Sequence, residues 1–365
     1  MNTRERFVNV LTGQCVDRVP FIKVFGSNNT ILPEWSNECP DLKSNIDRIL
    51  KFEGTHRGWE ITPVNFRISQ REKPVLIRSG ANEDVYKFPD GTIELRNKGT
   101  DYHSQTLEWP IKNRQDWGCF RDKYLQAEDT SRLPADWPEM VKKYKQRDYP
   151  LALSHGGVYG FARRYLMGDE ALMYTFYDDP GLVHEIMDYY TDMVIKIWER
   201  MVGDVEFDLI ECWEDMASKN GCLISPETFR EFIAPNYRKI ATFAKNHGIK
   251  IILVDSDGYI DDLAGLMLET GVTAMYPFEV NAGCDIKEIR RRYPTLGIIG
   301  GLNKQVMAGS KNDIDQEVEK AREYIKMGRY IPGPDHFVLS DVCWENYKYF
   351  MERLRDVVST TLVSE

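Results

Sequence analysis

The chain is short of the features that mark several protein classes. Its seven cysteines, at positions 15, 39, 119, 212, 222, 284 and 343, are odd in number, and no two stand in CxxC spacing. That argues against a disulfide framework and points to a reduced, cytoplasmic setting. No apolar run approaches the ~18 residues that a membrane-spanning helix needs. The opening stretch, MNTRERFVNVLTG, reads as an amphipathic helix and lacks the apolar centre of a secretory signal. Positive charge is also in deficit: 47 Lys and Arg face 57 Asp and Glu, a formal net charge of −10. Such a chain repels phosphate backbones, so nucleic acid is not expected as its main ligand. Internal repeats and low-complexity stretches are missing too, which sets repeat architectures aside.

What is present is a long alternation of two periods. The chain has 365 residues and 42% hydrophobic content, enough for a large core. At ~100–200 residues per domain the length alone suggests two domains. The pattern favours one. Short apolar runs alternate with segments of helical period, the mark of βαβ units and a parallel sheet. The runs are Val19–Phe25, Trp59–Pro63, Tyr149–Ser154, Phe207–Glu211, Ile249–Val254, Val272–Tyr276, Leu296–Gly300 and Arg329–Pro332. Eight parallel strands are what a closed (β/α)8, or TIM, barrel requires. Between them, Val183, Ile186, Met187, Tyr190, Val194, Ile197, Trp198 and Met201 recur at helical spacing. Ser225-Pro226-Glu227 has the chemistry of a helix start. Residues ~68–115 carry no convincing helix, and Asp90-Gly91 between apolar neighbours is a hairpin signal. The expectation is a single barrel domain over residues 1–365, with an antiparallel β insertion after strand two. That insertion would fold over the barrel mouth or serve in a homodimer contact.

Function in such barrels collects at the carboxyl ends of the strands. In chain order those ends carry Asn28, His155, then Glu211, Glu214 and Asp215, then Asp255 and Asp257, then Glu279, Asn303 with Lys304, and Asp335 with His336. Carboxylates crowded on one rim must share protons, bind a cation or face water. Plainer roles stand beside each. Asp257 suits a helix cap. Glu214 and Asp215 suit a solvated loop, and His155 could bond a backbone carbonyl. Cys212, Cys222 and Cys343 read as buried thiols rather than nucleophiles. His336, between an acid and an apolar residue, leans toward a site role.

These stretches also carry a resemblance. Arg4–Phe7 through Asp17–Pro20, Asp215–Gly221 with Leu223–Glu227, Gly300–Lys304 and Tyr330–His336 look like the uroporphyrinogen-decarboxylase-like superfamily. The resemblance implies a single (β/α)8 barrel and one of two chemistries, tetrapyrrole decarboxylation or metal-assisted methyl transfer with corrinoid proteins. The methyltransferases use a His-x-Cys pair after strand five and a late Cys. Here that pair position reads Asp255-x-Asp257, with Glu279 and His336 further on. The resemblance therefore implies a metal set of Asp255, Asp257, Glu279 and His336, holding zinc or another divalent ion as a Lewis acid. A metal-free site of acids and hydrogen-bond acceptors is the alternative. Glu214 or Asp215 would donate a proton, with His336 also catalytic. Asn28, His155, Tyr159, Asn303 and Lys304 would bind substrate; Tyr159 is weakly comparable to the decarboxylases' catalytic tyrosine. The expected activity is methyl transfer between a small methylated compound, a methoxyaromatic or methylamine, and a corrinoid supplied by a partner protein. Decarboxylation is the rival, although the decarboxylases' arginine loop after strand one is replaced by Gly26-Ser27-Asn28-Asn29-Thr30. Arg67, Arg163, Arg164 and Lys304 would then be the nearest cations. A non-catalytic scaffold that binds small molecules or a corrinoid protein is the third reading.

Overall fold

Apolar runs without alternating polar residues must be covered on both faces, and a parallel sheet under helices does this. In the computed structural model, which describes residues 1–25, 32, 34–35, 39, 41–55, 57–67, 73–98 and 104–363, such a sheet organises the chain. The strands, in chain order, are β1 (Glu60–Ile61), β2 (Val75–Ser79), β3 (Glu83–Lys87), β4 (Ile93–Asn97), β5 (Ser104–Glu108), β6 (Leu151–His155), β7 (Leu209–Trp213), β8 (Ala217–Ser218), β9 (Gly221–Cys222), β10 (Ile251–Ser256), β11 (Ala274–Pro277), β12 (Gly297–Leu302) and β13 (Tyr330–Pro334). A curled seven-stranded sheet runs β1-β6-β7-β10-β11-β12-β13, every neighbouring pair parallel. Helices cover its outside. Pro180–Val202 starts where the Asp179 side chain accepts the Leu182 N–H at 3.2 Å. Ser225 caps the next helical segment by accepting the Thr228 N–H at 3.1 Å. Both termini follow the usual exchange of a free backbone donor for a side-chain acceptor.

The first expected strand does not form, and the ladder counts seven strands among the described residues rather than eight. Pro20 has no N–H to donate. Val24 turns to φ 70°, a left-handed conformation that a β-branched residue rarely adopts and that breaks a strand. The Val24 N–H donates instead to the Arg57 carbonyl at 2.8 Å. Val19 to Phe25 are nevertheless buried. They touch both edges of the sheet, because a Cβ on Gly58 would come within 2.4 Å of Ile22 and one on Gly333 within 2.5 Å of Val24. The apolar run thus marks burial in the eighth position, but not strand pairing.

The insertion after β1 is as expected in kind. Strands β2-β3-β4-β5 form an antiparallel sheet. At the β3–β4 turn, Asp90 accepts the Thr92 N–H at 2.8 Å and Gly91 takes φ 97°. None of its four strands contributes to the main hydrophobic cluster, which otherwise runs from Phe7 to Val358. Among the described residues no helix is long and apolar enough to cross a membrane.

Candidate active site

A cavity of about 820 Å³ opens at the carboxyl ends of the sheet strands. Its walls come from the loop after β1 (Ile61–Arg67), from the ends of β6, β7 and β10, and from His336 and Phe337 after β13. Because the strands are parallel, their last residues all emerge on this side. Asp255 and Asp257 straddle the end of β10, and Asp215 follows β7. Carboxylate oxygens of these three lie within 4.8 Å of one another. His336 joins them, with Nε2 at 3.2 Å from Asp257 Oδ1 and its ring against Phe25 and Phe337. Asp215 has φ 46°, a left-handed position. The Arg164 guanidinium holds it there, donating to Asp215 Oδ2 at 3.2 Å, to the Glu214 carbonyl at 3.1 Å, to the Gly156 carbonyl at 2.8 Å and to the Trp213 carbonyl.

Beneath the aspartates lies a second polar layer inside the sheet. Glu211 of β7 receives Arg57 Nη1 at 3.1 Å, the Tyr276 hydroxyl at 2.6 Å and the Trp59 indole N–H at 3.0 Å. Tyr276 Oη also lies 2.9 Å from Asp255 Oδ2 and accepts from Arg57 at 2.5 Å. One hydroxyl carries one proton and cannot donate to both carboxylates. A proton on Asp255 completes the set, donated to Tyr276, which donates to Glu211. The electrostatics agree: burial, then the neighbouring Asp257, pushes Asp255 well above the usual carboxylate range. Asp215 is raised by the same two causes.

Other expected site residues sit elsewhere, each for a local reason. Glu214 is fully buried and turned away from the cavity. It accepts the N–H groups of Val158 at 2.7 Å and Gly160 at 2.8 Å and the Tyr237 hydroxyl at 2.7 Å. It anchors the start of the helix at Val158, and burial raises it against those three bonds. Glu279 is not with the aspartates; it accepts the Gly258 N–H at 2.9 Å and so supports the turn beyond Asp257. Asn303 caps the turn at Lys304 by accepting the Gln305 N–H at 3.0 Å. Lys304 reaches the cavity only indirectly, over the Phe337 ring at 5.8 Å. Tyr159 is buried outside the cavity lining, and Asn28 lies outside the described residues. His155 does line the cavity. Its Nδ1 accepts the Gly157 N–H at 3.1 Å, a backbone donor rather than the expected carbonyl, and its Nε2 lies 3.1 Å from Cys212 Sγ. Burial lowers it to about 3, so it is a neutral ring with both nitrogens engaged.

Sequence reading missed several lining groups and, in the layer beneath them, Tyr276. Arg57 stands before β1, at the end of a strand where no function is expected, and only its length carries it into the interior. Tyr276 is one of many tyrosines in apolar runs. Tyr165 and Trp213 look like core residues, yet both face the cavity. No signal in the sequence separates them from buried aromatics.

The donor set can be tested against the metal that the resemblance implies. Thiolates do not contribute, since Cys212 meets His155 and the Cys284 thiol meets the Gly258 carbonyl at 3.4 Å. The three aspartates fit a hard divalent ion, which prefers oxygen donors. Asp215 Oδ1, buried without a hydrogen-bond partner, is the kind of atom such an ion would satisfy. His336, through Asp257, stands next to them. The candidate ligand set is therefore Asp215, Asp255 and Asp257, with Asp215 in place of Glu279.

A parallel α/β sheet with an acidic, aromatic-walled cavity at its strand ends defines the class of protein. The particular family follows from the sequence match: residues 130–357 fit the uroporphyrinogen decarboxylase (URO-D) model, and the chain belongs to that family. Among curated relatives, a uroporphyrinogen decarboxylase of Prochlorococcus marinus (strain MED4) is 23% identical over 181 residues, 48% of this chain and 49% of that protein. The match thus spans about half the length of that relative. A uroporphyrinogen decarboxylase of Sulfurimonas denitrificans is 23% identical over 260 residues, 68% of this chain and 71% of the relative. Among solved structures, a methyltransferase from Methanosarcina mazei superposes with a TM-score of 0.60 at 16% identity, over 98% of this chain and 99% of the other. That likeness establishes a shared fold.

Proposed function

We propose that this protein is a methyltransferase that moves a methyl group between a small methylated compound, a methoxylated aromatic or a methylamine, and a corrinoid protein. One observation carries the reading: the cavity pairs a three-aspartate cluster and His336 with aromatic walls, while it offers few free cations. Of the two guanidinium groups in its lining, Arg57 is bound to Glu211 and Tyr276, and Arg67, against the neutral Tyr165 hydroxyl, is a single exposed cation. A tetrapyrrole bearing many carboxylates needs uncommitted cations. This lining favours a small ligand with little negative charge.

When an oxygen or nitrogen loses its methyl group it keeps the bond electrons and needs a proton or a positive neighbour. Asp215, raised by burial and by Asp257, is suited to hold that proton at the cavity wall. His336 and Asp257 form a second pair able to hold or relay a proton, set at 3.2 Å. Arg164 keeps Asp215 aimed inward. Glu214 acts one step back, by fixing the turn that carries Gly156 and Val158. Trp213, Phe25, Phe66 and Phe337 surround the reacting group with apolar surface. A divalent ion on Asp215, Asp255 and Asp257, bound in place of their protons, would instead supply Lewis-acid polarisation of the leaving atom. The corrinoid, on its own protein, would supply the methyl acceptor.

The test is methyl transfer from methoxyphenols and from methylamines to reduced cobalamin, followed by the cobalamin absorbance change. Turnover of either class that is lost in Asp215→Asn and His336→Ala supports the reading. Carbon dioxide release from uroporphyrinogen or from a small acid, without methyl transfer, would replace it with the decarboxylase reading. That rival draws on Arg67, which is exposed on the cavity wall.

A further inference from the structure

Trp213 is 39% exposed, although it ends a strand whose other residues are buried. It lines the cavity, and Arg164 does not. The Arg164 guanidinium carbon lies 3.8 Å from the centre of the Trp213 ring. Its hydrogen bonds to four acceptors around the ring, the Trp213 carbonyl among them, hold it there. One face of the indole is therefore committed to a fixed cation, and the exposed part of the ring belongs to the cavity.

A cation over one face of an aromatic ring draws π density toward itself. The opposite face then becomes a weaker site for a second cation, which would also feel the first charge through the ring. The same polarisation makes that face a better stacking partner for an electron-rich, uncharged ring. The rest of the cavity agrees. Arg67 lies 4.1 Å from the centre of the Tyr165 ring, so a second aromatic wall of the cavity is also matched to a guanidinium. Of the carboxylates that would greet a cation, Glu211 is engaged with Arg57, Tyr276 and Trp59, Asp255 with Tyr276, Asp257 with His336, and Asp215 Oδ2 with Arg164, while the unpartnered Asp215 Oδ1 is buried, out of reach of a bulky methylated ammonium though not of a small metal ion.

We infer that Trp213, backed by Arg164, is a stacking platform that makes this cavity select uncharged, electron-rich aromatic rings over methylated ammonium ions. The inference rests on the reading of this cavity as the methyl donor's site, and it decides between that reading's two donor classes. Trp213 is a specificity-determining contact, and Arg164 a positioning residue that acts through it.

Calorimetric titration of the full chain, with no corrinoid present, tests this with three probes. They are methoxybenzene, its saturated counterpart methoxycyclohexane, and tetramethylammonium. The expected result is that methoxybenzene binds at least tenfold more tightly than either of the others. Trp213→Leu should erase that preference, and Trp213→Phe should restore part of it, with unchanged thermal midpoints showing that both variants fold. Tetramethylammonium binding as tightly as methoxybenzene overturns the inference. So does a preference that survives in Trp213→Leu, or a failure of all three probes to bind. A preserved aromatic preference in a protein that transfers no methyl group would leave the platform standing and remove the methyltransferase reading instead.

Discussion

Strands β10 and β2 look alike on paper and live in opposite environments. Ile251-Ile252-Leu253-Val254 is buried along its whole length, whereas Val75, Leu76 and Ile77 are about half exposed or more, Val75 at 64%. The first lies between a layer of helices and the inside of the curled sheet. The second is the edge of a four-stranded antiparallel sheet with no layer over it among the described residues. Acidic groups follow the same division. Asp255, enclosed at the end of β10, is pushed far up by burial, then by Asp257. Asp84 of the insertion is lowered, first by the Ser79 hydroxyl and then by Lys98. Residue type does not set the chemistry; desolvation does. The comparison explains why the reactive groups gather in one region: only the parallel sheet removes carboxylates from water while holding them together.

Four perturbations would break or sharpen that contrast. The largest effect is expected from Glu211→Ala, which strands the Arg57 guanidinium, the Tyr276 hydroxyl and the Trp59 N–H without their shared acceptor. A loss of about 3–5 kcal/mol in urea unfolding is expected, as for breaking other buried pairs. A loss under 1 kcal/mol would show that water reaches this layer. Leu253→Ala, in the fully buried part of β10, should cost about 2–5 kcal/mol by the same measurement.

Asp255→Asn comes next, and its sign is opposite. A carboxyl whose folded pKa is raised adds stability while protonated, and that stability fades as pH climbs through the raised value. The wild type should therefore weaken from acidic toward alkaline pH, and the variant should weaken less. At pH 8 the variant should be the more stable by about 1–2 kcal/mol, the size of one or more pKa units. A thermal midpoint that falls in the variant at pH 8 would contradict the protonated Asp255. Manganese titrations on the same protein sharpen the point, since proton and metal compete for this oxygen. Wild-type affinity should rise with pH, and Asp255→Asn should weaken it at least tenfold.

The smallest effect is expected from Ile77→Ser on the exposed edge, within about 0.5 kcal/mol, as for most surface changes. A cost well above that, together with a change in sedimentation, would mean that a second copy covers β2.

Much of this architecture was legible in advance because parallel strands and their helices follow hydrophobic periodicity. Seven of the eight apolar runs became sheet strands, and Asp90-Gly91 marked its turn. Val19–Phe25 misled because periodicity reports burial, and burial does not require a ladder. At the site, strand-end position brought Asp255, Asp257, Asp215 and His336 to notice, and the fold places them around one cavity. Glu214 and Glu279 stand at equivalent positions in the chain yet bind backbone N–H groups, a distinction that depends on which way a loop turns. Arg57 and Tyr276 carried no mark at all, because their roles come from reach across the sheet interior.

By itself the amino-acid order determined the alternation of strand and helix, the antiparallel insertion and the side of the sheet where polar ends collect, because these depend on neighbours a few residues apart. Only the tertiary structure decided which carboxylates meet, which of them hold a proton, and which aromatic faces stay open. Those outcomes depend on distances of a few ångströms between residues far apart in the chain, and on how much water the packing leaves around them.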